Sequence, residues 1–337
     1  MSGPRVAISG FGRIGRHFLR SAMRRESDLD IVAVNDLANA ATIAHLLEYD
    51  TVQGRLDEEI KIVGDHLQVG ERSIRLLSSR HPSQAPWAEL GVDVVVDCSG
   101  RFTSRELAGD HLVAGARRIV VSAPTRSADV TVCMGVNDDT FDPDRHFVIS
   151  NASCSTNAVA VMAKVLHEEF GIASGWMTTV HAVTNDQVLV DAGHHDLRRA
   201  RAAGQNIVPA STGADHDLAQ VIPALTGRLQ SVAIRVPVPA GSLTDLTCML
   251  EVSVTEREVN AAFEAAAAHG PLRDVLGYTT APIVSSDVLG DPRSCVFSAT
   301  DTLVHADQVK VYGWYDNEWG YANRLLELVE LVAGGGR

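Results

Sequence analysis

The sequence RVAISGFGRIGR, residues 5–16, decides the first half of the fold. Its apolar start, Arg5–Ser9, predicts a β-strand, and Gly12–Arg25 predicts the helix that follows it. The turn between them contains three glycines at the GxGxxG spacing: Gly10, Gly12 and Gly15. The first glycine permits a tight turn, the second lets a pyrophosphate approach the backbone, and the third allows close packing of helix on strand. The stretch therefore predicts a dinucleotide-binding turn.

Asp36 is a second indication of a dinucleotide, since glycines at a turn are often only turn residues. It follows the predicted strand Ile31–Asn35, about 20 residues beyond the glycines, where a carboxylate can accept a hydrogen bond from a ribose 2′-hydroxyl. The same negative charge repels a 2′-phosphate. We therefore expect NAD to be favoured over NADP.

The rest of the chain divides into two patterns. Up to about Asn151, short apolar runs alternate with amphipathic stretches, as in βαβ units, with a helix from Ser104. Three more strands are predicted there: Val92–Cys98, Arg118–Ser122 and Phe147–Asn151. Beyond that point, longer alternating runs suit a mostly antiparallel sheet: Trp176–Val183, Leu229–Val236, Thr244–Val252 and Gln308–Tyr315. Helices are predicted at Thr156–Glu169, Glu256–Ala268 and Trp319 to about Val332.

These patterns predict an α/β Rossmann dinucleotide-binding domain followed by an α+β catalytic domain with a mostly antiparallel sheet. We expect the first domain to span residues 1–153 and to be completed by a C-terminal helix, 319–337. The second domain is expected at residues 154–318. The seam between two domains is a common place for chemistry.

Composition narrows the class of protein. The chain has 337 residues, 45% of them hydrophobic and 21% charged, as in globular proteins with room for two domains. Its net charge of −13 argues against nonspecific nucleic-acid binding and against docking on an anionic membrane. Its 5 cysteines form no CxxC pair, so neither a disulfide framework nor a metal site is predicted. With no signal-peptide pattern and no bilayer-length apolar run, we expect a cytoplasmic protein.

Ser150–Asn157, with the sequence SNASCSTN, is the strongest chemical signal. It places Cys154 among hydroxyls and amides at the start of the predicted helix Thr156–Glu169. The positive end of a helix dipole favours a thiolate, and free backbone N–H groups suit an anion. These residues alone leave two interpretations open: a reactive cysteine beside an anion site, or a small packing cysteine.

Motifs spread over nearly the whole chain resemble, in order, those of the phosphorylating glyceraldehyde-3-phosphate dehydrogenase family of bacterial type. The matching segments are GFGRIGR at 10–16, ND at 35–36, YDTVQG at 49–54, SNASCSTN at 150–157, TTVHA at 178–182, STGA at 211–214, RVP at 235–237 and WYDNEWGY at 314–321. The resemblance implies NAD-dependent oxidation and phosphorylation of glyceraldehyde 3-phosphate to 1,3-bisphosphoglycerate by a homotetramer, with inorganic phosphate as the second substrate.

The resemblance also implies roles for individual residues. Cys154 would be the nucleophile and His181 its base. The substrate's phosphate would meet Thr184 and Arg235, with Arg199 near both phosphate sites. The attacking phosphate would meet Ser153, Ser155, Thr212 and Gly213. The cofactor would be held by Gly10, Phe11, Gly12, Arg13, Ile14, Gly15, Asp36, Ser122, Asn317 and Tyr321.

Several positions depart from the family pattern. Ser155 replaces the usual Thr, and Ala158 replaces a second Cys that could form an inactivating disulfide with Cys154. Asp215-His216-Asp217 stands where Ala-Lys-Ala is usual. These two acids near an anion site could weaken phosphate binding, but we favour an exposed helix face on which they do nothing. Ala192-Gly193 differs from the Leu-Pro of NAD-specific relatives, so we expect some NADP use.

Three other functions remain open at this point. One is a non-phosphorylating erythrose-4-phosphate dehydrogenase with water as the acyl acceptor. Another is an inhibitor-resistant paralogue of the glycolytic enzyme, suggested by the substitutions around Cys154. The third is a binding protein with vestigial catalysis, which the retained Cys154, His181, Arg235 and Asn317 argue against.

Overall fold

Residues 3–334 are described by a computed structural model, and they fall into two compact units. The first unit contains residues 3–132, 138–152 and 322–334. The second contains residues 133–137 and 153–321. The main crossing between the units therefore lies directly before Ser153.

Two expectations extend past the described part of the chain. Residues 1–2, in the expected domain 1–153, and residues 335–337, in the expected helix 319–337, lie outside the described residues. Within residues 3–334, no helix has the length and apolar character needed to cross a membrane.

The first unit is built on a sheet whose central strands are parallel. Its strands are β1 (Arg5–Ser9), β2 (Asp30–Asn35), β3 (Ile60–Val63), β4 (His66–Val69), β5 (Arg72–Leu77), β6 (Val94–Asp97), β7 (Arg118–Val121), β8 (Val130–Thr131) and β9 (Val148–Ser150). They lie in the order β3-β4-β5-β2-β1-β6-β7-β9-β8. β1 is parallel to both neighbours, β2 and β6, so the strand order reverses there. In open α/β sheets, ligands bind beyond the carboxyl ends of strands at such a reversal.

Helices cover this sheet: α1 (Arg13–Arg24), α2 (Ala40–Glu48) and α3 (Arg105–Val113). All four residues of β6 are buried, as expected for a central parallel strand with both faces covered. α3 starts where Ser104 accepts a hydrogen bond from the N–H of Leu107, which satisfies a free donor of the first turn. The expected Rossmann domain is thus present.

The second unit combines a mostly antiparallel sheet with helices. Its strands are β10 (Ile172–His181), β11 (Val208–Ala210), β12 (Leu229–Arg235), β13 (Ser242–Leu250), β14 (Leu276–Thr279), β15 (Cys295–Ser298), β16 (Leu303–His305) and β17 (Gln308–Tyr315). They lie in the order β11-β12-β10-β13-β17-β15-β14, with β16 on β17. Its helices are α4 (Cys154–Phe170), α5 (Ala214–Val221) and α6 (Glu256–Ala268). Single 3-10 turns in the two units lie at Pro82–Gln84, Asp138–Thr140, Pro223–Leu225, Gly270–Leu272, Ser285–Val288 and Ala299–Asp301.

The core of the second unit lies between this sheet and α4 and α6. α4 packs on β10, β13, β15 and β17. Phe263 of α6 stacks on Phe297 of β15, with ring centroids 3.8 Å apart. Thr255 and Glu258 close a capping box at the start of α6, which fixes where that helix begins.

The final helix, α7 (Trp319–Gly334), belongs to the first unit from Ala322 onward. Ser21 Oγ of α1 donates to Asn323 Oδ1 at 2.9 Å, and Arg25 pairs with Glu327 at 2.8 Å. The end of the chain therefore packs against the first helix of the nucleotide-binding fold.

Some sequence expectations were wrong in their boundaries, and one group of strands was missed. α4 begins at Cys154 and not at Thr156, because Ser153 already caps it. β10 begins at Ile172, four residues before the expected Trp176, because Gly171 turns the chain directly out of α4 at φ +69. The antiparallel hairpins β3–β4–β5 were not predicted at all.

Candidate active site

Cys154 is the first residue of α4. Ala152, two residues before it, adopts φ +53, a left-handed conformation that is rare outside glycine and costs about 1–3 kcal/mol. Ser153 is the N-cap, and its side chain accepts the N–H of Thr156 at 3.1 Å. Such a strained turn persists only where the surroundings enforce it, and here it presents the thiol at the helix N-terminus.

His181 is brought to Cys154 by the sheet of the second unit. It is the last residue of β10 and is buried, and its Nε2 lies 3.4 Å from Cys154 Sγ. The parallel register of β10 and β12 sets His181 directly beside Arg235. Thiol, imidazole and guanidinium thus form one cluster.

The two contacts of His181 Nδ1 require opposite protonation states. Nδ1 lies 2.7 Å from the carbonyl oxygen of Ala182 and 2.6 Å from Nη1 of Arg235. A carbonyl only accepts and a guanidinium only donates, so Nδ1 cannot satisfy both. If Nδ1 donates to Ala182, Nε2 offers a lone pair to Cys154; if it accepts from Arg235, Nε2 carries the proton. The position of Arg235 therefore selects the tautomer.

Burial dominates the acid–base properties of the pair. It raises the pKa of the Cys154 thiol, although the Arg235 guanidinium, the Ser155 hydroxyl and backbone N–H groups act against it. Loss of water on burial therefore outweighs the helix N-terminus, which by itself favours the thiolate. Burial and Arg235 lower the pKa of His181 to about 3. At neutral pH His181 is therefore uncharged, and its tautomer decides whether Nε2 can accept the proton of Cys154.

Tyr315 is a site residue that the sequence analysis missed. Its buried hydroxyl lies 2.7 Å from Thr179 Oγ1 and 3.1 Å from Ser155 Oγ, and its ring meets His181 edge-on. It belongs to the WYDNEWGY motif, but the alternation of β17 gave no sign that its hydroxyl reaches α4. Tyr315 therefore holds the side chain of Ser155, the residue that follows the candidate nucleophile Cys154.

Asp217 contradicts the expectation of an exposed acidic helix face. Of the segment Asp215-His216-Asp217, only Asp217 is buried, with 4% of its surface exposed. His216 is exposed, and Asp215 accepts a hydrogen bond from Ser231 Oγ at 2.6 Å. α5 packs on α4, which encloses the side chain, and Thr156 Oγ1 donates to Asp217 Oδ2 at 3.1 Å. The prediction failed because periodicity does not reveal that a second helix covers this face.

The remaining predicted anion ligands lie in loops and helix starts of the second unit. Arg199 pairs with Asp186 and, at 3.5 Å, with Asp196. Burial lowers the pKa values of His181 and Arg235, and the charge of Arg199 adds a smaller effect in the same direction. Thr184 lies three residues beyond His181, and its N–H donates to Gln187 Oε1 at 3.4 Å.

The start of α5 supplies the other two predicted ligands, Thr212 and Gly213. Gly213 is its N-cap, and Thr212 Oγ1 accepts the N–H of Ala214 at 3.3 Å. Through the contact of Asp217 with Thr156, the start of α5 is connected to the start of α4. Two helix N-termini are therefore joined by one hydrogen bond, and each favours an anion.

In the first unit the glycine turn has the geometry that a pyrophosphate needs. Gly10 has φ +88, and a Cβ there would lie 2.5 Å from the Ser99 nitrogen. A Cβ on Gly15 would lie 2.3 Å from the Gly10 carbonyl oxygen, whereas Gly12 faces open space. The first and third glycines are thus required by packing, and the second leaves room for a ligand.

Asp36 lies beside that turn at the carboxyl end of β2. Its Oδ2 accepts the N–H of Phe11 at 2.7 Å and its Oδ1 that of Ala38 at 2.8 Å. Arg13 and Ile14 open α1, and Arg13 pairs with Asp50 at 2.7 Å. This half of the predicted cofactor site is assembled from local segments.

Ser122 directly follows β7, at the same edge of the sheet. Its N–H donates to the carbonyl of Asp97 at 2.9 Å, and its hydroxyl bonds the thiol of Cys98, whose pKa burial raises to about 12. Cys98 is therefore an inert thiol, unlike a reactive cysteine at an exposed helix start.

Asn317 and Tyr321 lie near the end of the second unit, and both are buried. Asn317 Oδ1 accepts the N–H of Gly241 at 3.1 Å and the hydroxyl of Ser242 at 3.0 Å. Because the backbone N–H of Gly241 can only donate, the atom facing it must be the Asn317 oxygen Oδ1. Nδ2 therefore points away from Gly241. The amino group is thus held as a donor.

Comparison with known proteins gives one family for both halves. The profile of the glyceraldehyde 3-phosphate dehydrogenase NAD binding domain matches residues 4–105, and that of the C-terminal domain of the same family matches residues 153–317. Glyceraldehyde-3-phosphate dehydrogenase of Streptomyces coelicolor is 54% identical over 329 residues, covering 97% of this chain and 98% of the relative. The protein of that name from Geobacillus stearothermophilus is 50% identical over 333 residues, covering 98% and 99%.

Proposed function

Because the chain belongs to the glyceraldehyde 3-phosphate dehydrogenase family, we propose that it oxidises and phosphorylates glyceraldehyde 3-phosphate to 1,3-bisphosphoglycerate. The observation that carries the proposal is the 3.4 Å contact between Cys154 Sγ and a neutral, buried His181. A thiol beside a base is the arrangement that covalent catalysis on an aldehyde needs.

NAD is the cofactor of this family, and the residues of the first unit fit it. The open space at Gly12 suits a pyrophosphate, and the helix α1 directs its N-terminal N–H groups there. Asp36 would accept from the ribose hydroxyls, Ser122 would line the same edge, and Asn317 Nδ2 would donate to a carboxamide oxygen. When bound, NAD supplies the acceptor for the hydride that leaves the substrate.

The chain's own residues carry out the acylation. The Cys154 thiol gives its proton to His181 Nε2 as Sγ adds to the aldehyde carbon, and the imidazolium returns a proton to the oxygen of the hemithioacetal. His181 then takes that hydroxyl proton as the carbon loses its hydride, which leaves a thioester on Cys154. Arg235 would bind the substrate's phosphate, with Thr184 and Arg199.

Substrate binding would also set the tautomer of His181. When Arg235 turns to the substrate's phosphate, Nδ1 is released to donate to the Ala182 carbonyl. Nε2 then offers its lone pair to Cys154, so the base is formed only when substrate is present.

Inorganic phosphate would complete the reaction. A phosphate oxygen attacks the thioester carbon, the C–S bond breaks, and Cys154 leaves as thiolate and is reprotonated from His181. Ser153, Ser155, Thr212 and Gly213 would hold this phosphate at the starts of α4 and α5. The two helix starts, joined through Asp217 and Thr156, support one shared anion site.

We also propose a homotetramer in the cytoplasm, with functional domains at residues 1–153 and 154–318. Apolar side chains on strands of the second sheet support self-association: Trp176 is 63% exposed and Val232 51%. Light scattering of wild type and of Trp176→Lys tests this, because the variant should dissociate if that face is buried between copies.

The acyl intermediate tests the proposed chemistry directly. The enzyme is mixed with NAD and glyceraldehyde 3-phosphate without phosphate, quenched in acid, and its cysteine peptides are mapped by mass. We expect the acyl mass on the Cys154 peptide, with the peptides of Cys98, Cys133, Cys248 and Cys295 as internal controls. An acyl group on another cysteine, or none at all, would overturn the assignment.

A further inference from the structure

A chain of hydrogen bonds runs from a buried carboxyl to the N-cap of α4. Asp217 Oδ2 lies 3.1 Å from Thr156 Oγ1, which lies 2.7 Å from Ser153 Oγ. Ser153 Oγ also accepts the backbone N–H of Thr156 at 3.1 Å. Each hydroxyl has a single proton, so the protonation state of the carboxyl decides the direction of the whole chain.

With Asp217 ionised, both hydroxyl protons point inward. A carboxylate only accepts, so Thr156 must donate across its 3.1 Å contact with Asp217. Thr156 Oγ1 is then the acceptor for the Ser153 hydroxyl at 2.7 Å. Ser153 has no proton left for an anion, and its lone pairs face any phosphate at the helix start.

With Asp217 protonated, the direction reverses. The carboxyl donates to Thr156 Oγ1, and the Thr156 hydroxyl donates to Ser153 Oγ. The proton of Ser153 is then free to point outward. An anion at the start of α4 gains one charge-assisted hydrogen bond and is no longer opposed by the buried negative charge.

The surroundings of Asp217 let it change state near neutral pH. Burial raises its pKa to about 6, assisted by the charge of Asp215 on its own helix and opposed by His216 and by the hydrogen bond from Thr156. Burial, assisted by the charge of Asp217, raises the pKa of the nearby Cys133 thiol, which therefore stays neutral.

We propose that Asp217 is a positioning residue for the attacking phosphate, which acts through Thr156 to decide whether the Ser153 hydroxyl donates to that anion. The inference rests on the proposed function, in which Ser153 binds inorganic phosphate. Through Asp217, which stands where Ala is usual, the phosphorolysis step would depend on pH. Acylation of Cys154 would be unaffected.

The test is the KM for inorganic phosphate from about pH 5 to about pH 8 in wild type and Asp217→Asn. An asparagine can donate from Nδ2 to Thr156 at every pH, so it mimics the protonated acid without titrating. Phosphate's own titration is common to both enzymes and cancels in the ratio of their KM values. We expect this ratio, wild type over variant, to rise about tenfold with pH, the effect of one hydrogen bond to an anion.

Two further variants and one rate keep the result interpretable. Asp215→Asn removes the same charge from the same helix turn without touching Thr156. Because Asp215 helps to raise the pKa of Asp217, this variant should shift the pH dependence of the phosphate KM slightly to lower pH and keep its full span. Thr156→Val removes the middle hydroxyl of the hydrogen-bond chain and should also flatten the pH dependence of the phosphate KM. This variant tests the inference even if Asp217→Asn folds poorly. The NADH burst without phosphate, which reports acylation, should be alike in wild type and Asp217→Asn.

The outcomes separate the inference from the proposed function. A pH-independent ratio overturns the role of Asp217, and so does an equal effect from Asp215→Asn, which would indicate a general charge effect. A slower burst in Asp217→Asn would point to a structural role for this residue. Steady turnover of wild type that needs no phosphate would instead overturn the proposed function itself.

Discussion

Replacing Asp36 by asparagine should lower the preference for NAD over NADP. The carboxylate accepts the N–H groups of Phe11 and Ala38 at 2.7 and 2.8 Å, so it is fixed at the end of β2 beside the glycine turn. Asparagine has the same shape and keeps one acceptor oxygen. The change therefore removes the charge together with one of the two backbone hydrogen bonds, because the amide nitrogen cannot accept.

The magnitude follows from Coulomb's law. Unit charges about 5 Å apart repel by about 0.8 kcal/mol at the dielectric constant of water and by about 3 kcal/mol at an effective value of about 20. Asp36 is half-buried, so we take about 2 kcal/mol, or about 30-fold in kcat/KM for NADP. A neutral acceptor binds the ribose of NAD more weakly by about 1 kcal/mol, or about fivefold. The ratio of NAD to NADP efficiency should fall by about two orders of magnitude.

The assay compares kcat/KM for both cofactors at constant ionic strength. Asp30→Asn is the matched control: it makes the same charge change at the opposite end of the same strand, about 20 Å away. We also expect wild type to reduce NADP detectably, because of Ala192-Gly193. A selectivity ratio that stays within about threefold in Asp36→Asn, or that moves equally in Asp30→Asn, would refute the charge argument.

Three further predictions concern the two units separately. His181→Asn should lower kcat by about 10²- to 10⁴-fold, because no base remains beside Cys154; a loss below tenfold in rapid-mixing assays would contradict this. Ala158→Cys, one helical turn from Cys154, should speed inactivation by peroxide, and equal inactivation rates would end the idea that Ala158 protects the thiol. Asp50→Asn should destabilise by about 3–5 kcal/mol at neutral pH, because Arg13 loses its buried partner. Burial acts to raise the Asp50 pKa, but hydrogen bonds from His17 and Arg13 hold it below its usual range, so its contribution is present above about pH 4 and is lost progressively as the pH falls toward the lowered pKa. Melting curves of both proteins should therefore converge in acid, and a constant gap would contradict the linkage.

The nucleotide-binding half was predictable because its signal is local. Strand, glycine turn, helix and acid lie within one βαβ unit, and backbone sterics require the first and third glycines: a Cβ at position 15 would have no room against Gly10. The β3–β4–β5 hairpins were missed because they are short segments, with β3 mostly exposed, so hydrophobic periodicity is weak there.

Only the family motifs identified the residues of the catalytic cluster, Cys154, His181 and Arg235. Cys154 and His181 are separated by 27 residues, and only the placement of α4 on the end of β10 brings them to 3.4 Å. The register that puts Arg235 beside His181, and hence the competition for Nδ1, follows from pairing of two strands distant in sequence. Local pattern carries no such information.

Asp217 shows where the charge pattern misleads. A run of charged residues is usually solvated, but here only His216 is exposed, and Asp215 is half-buried against Ser231. The third is enclosed because α5 lies on α4, and a carboxyl enclosed in this way needs a donor, which Thr156 supplies. The burial of a single charge therefore depends on tertiary packing.

Phosphate dependence of NADH formation is the most direct measurement of the proposed reaction. With NAD, glyceraldehyde 3-phosphate and inorganic phosphate, we predict steady NADH formation. Without phosphate, the thioester on Cys154 cannot be released, so a burst of one NADH per active site should be followed by near-complete arrest. Steady NADH formation at the same rate without phosphate would contradict the proposal and point to water as the acyl acceptor.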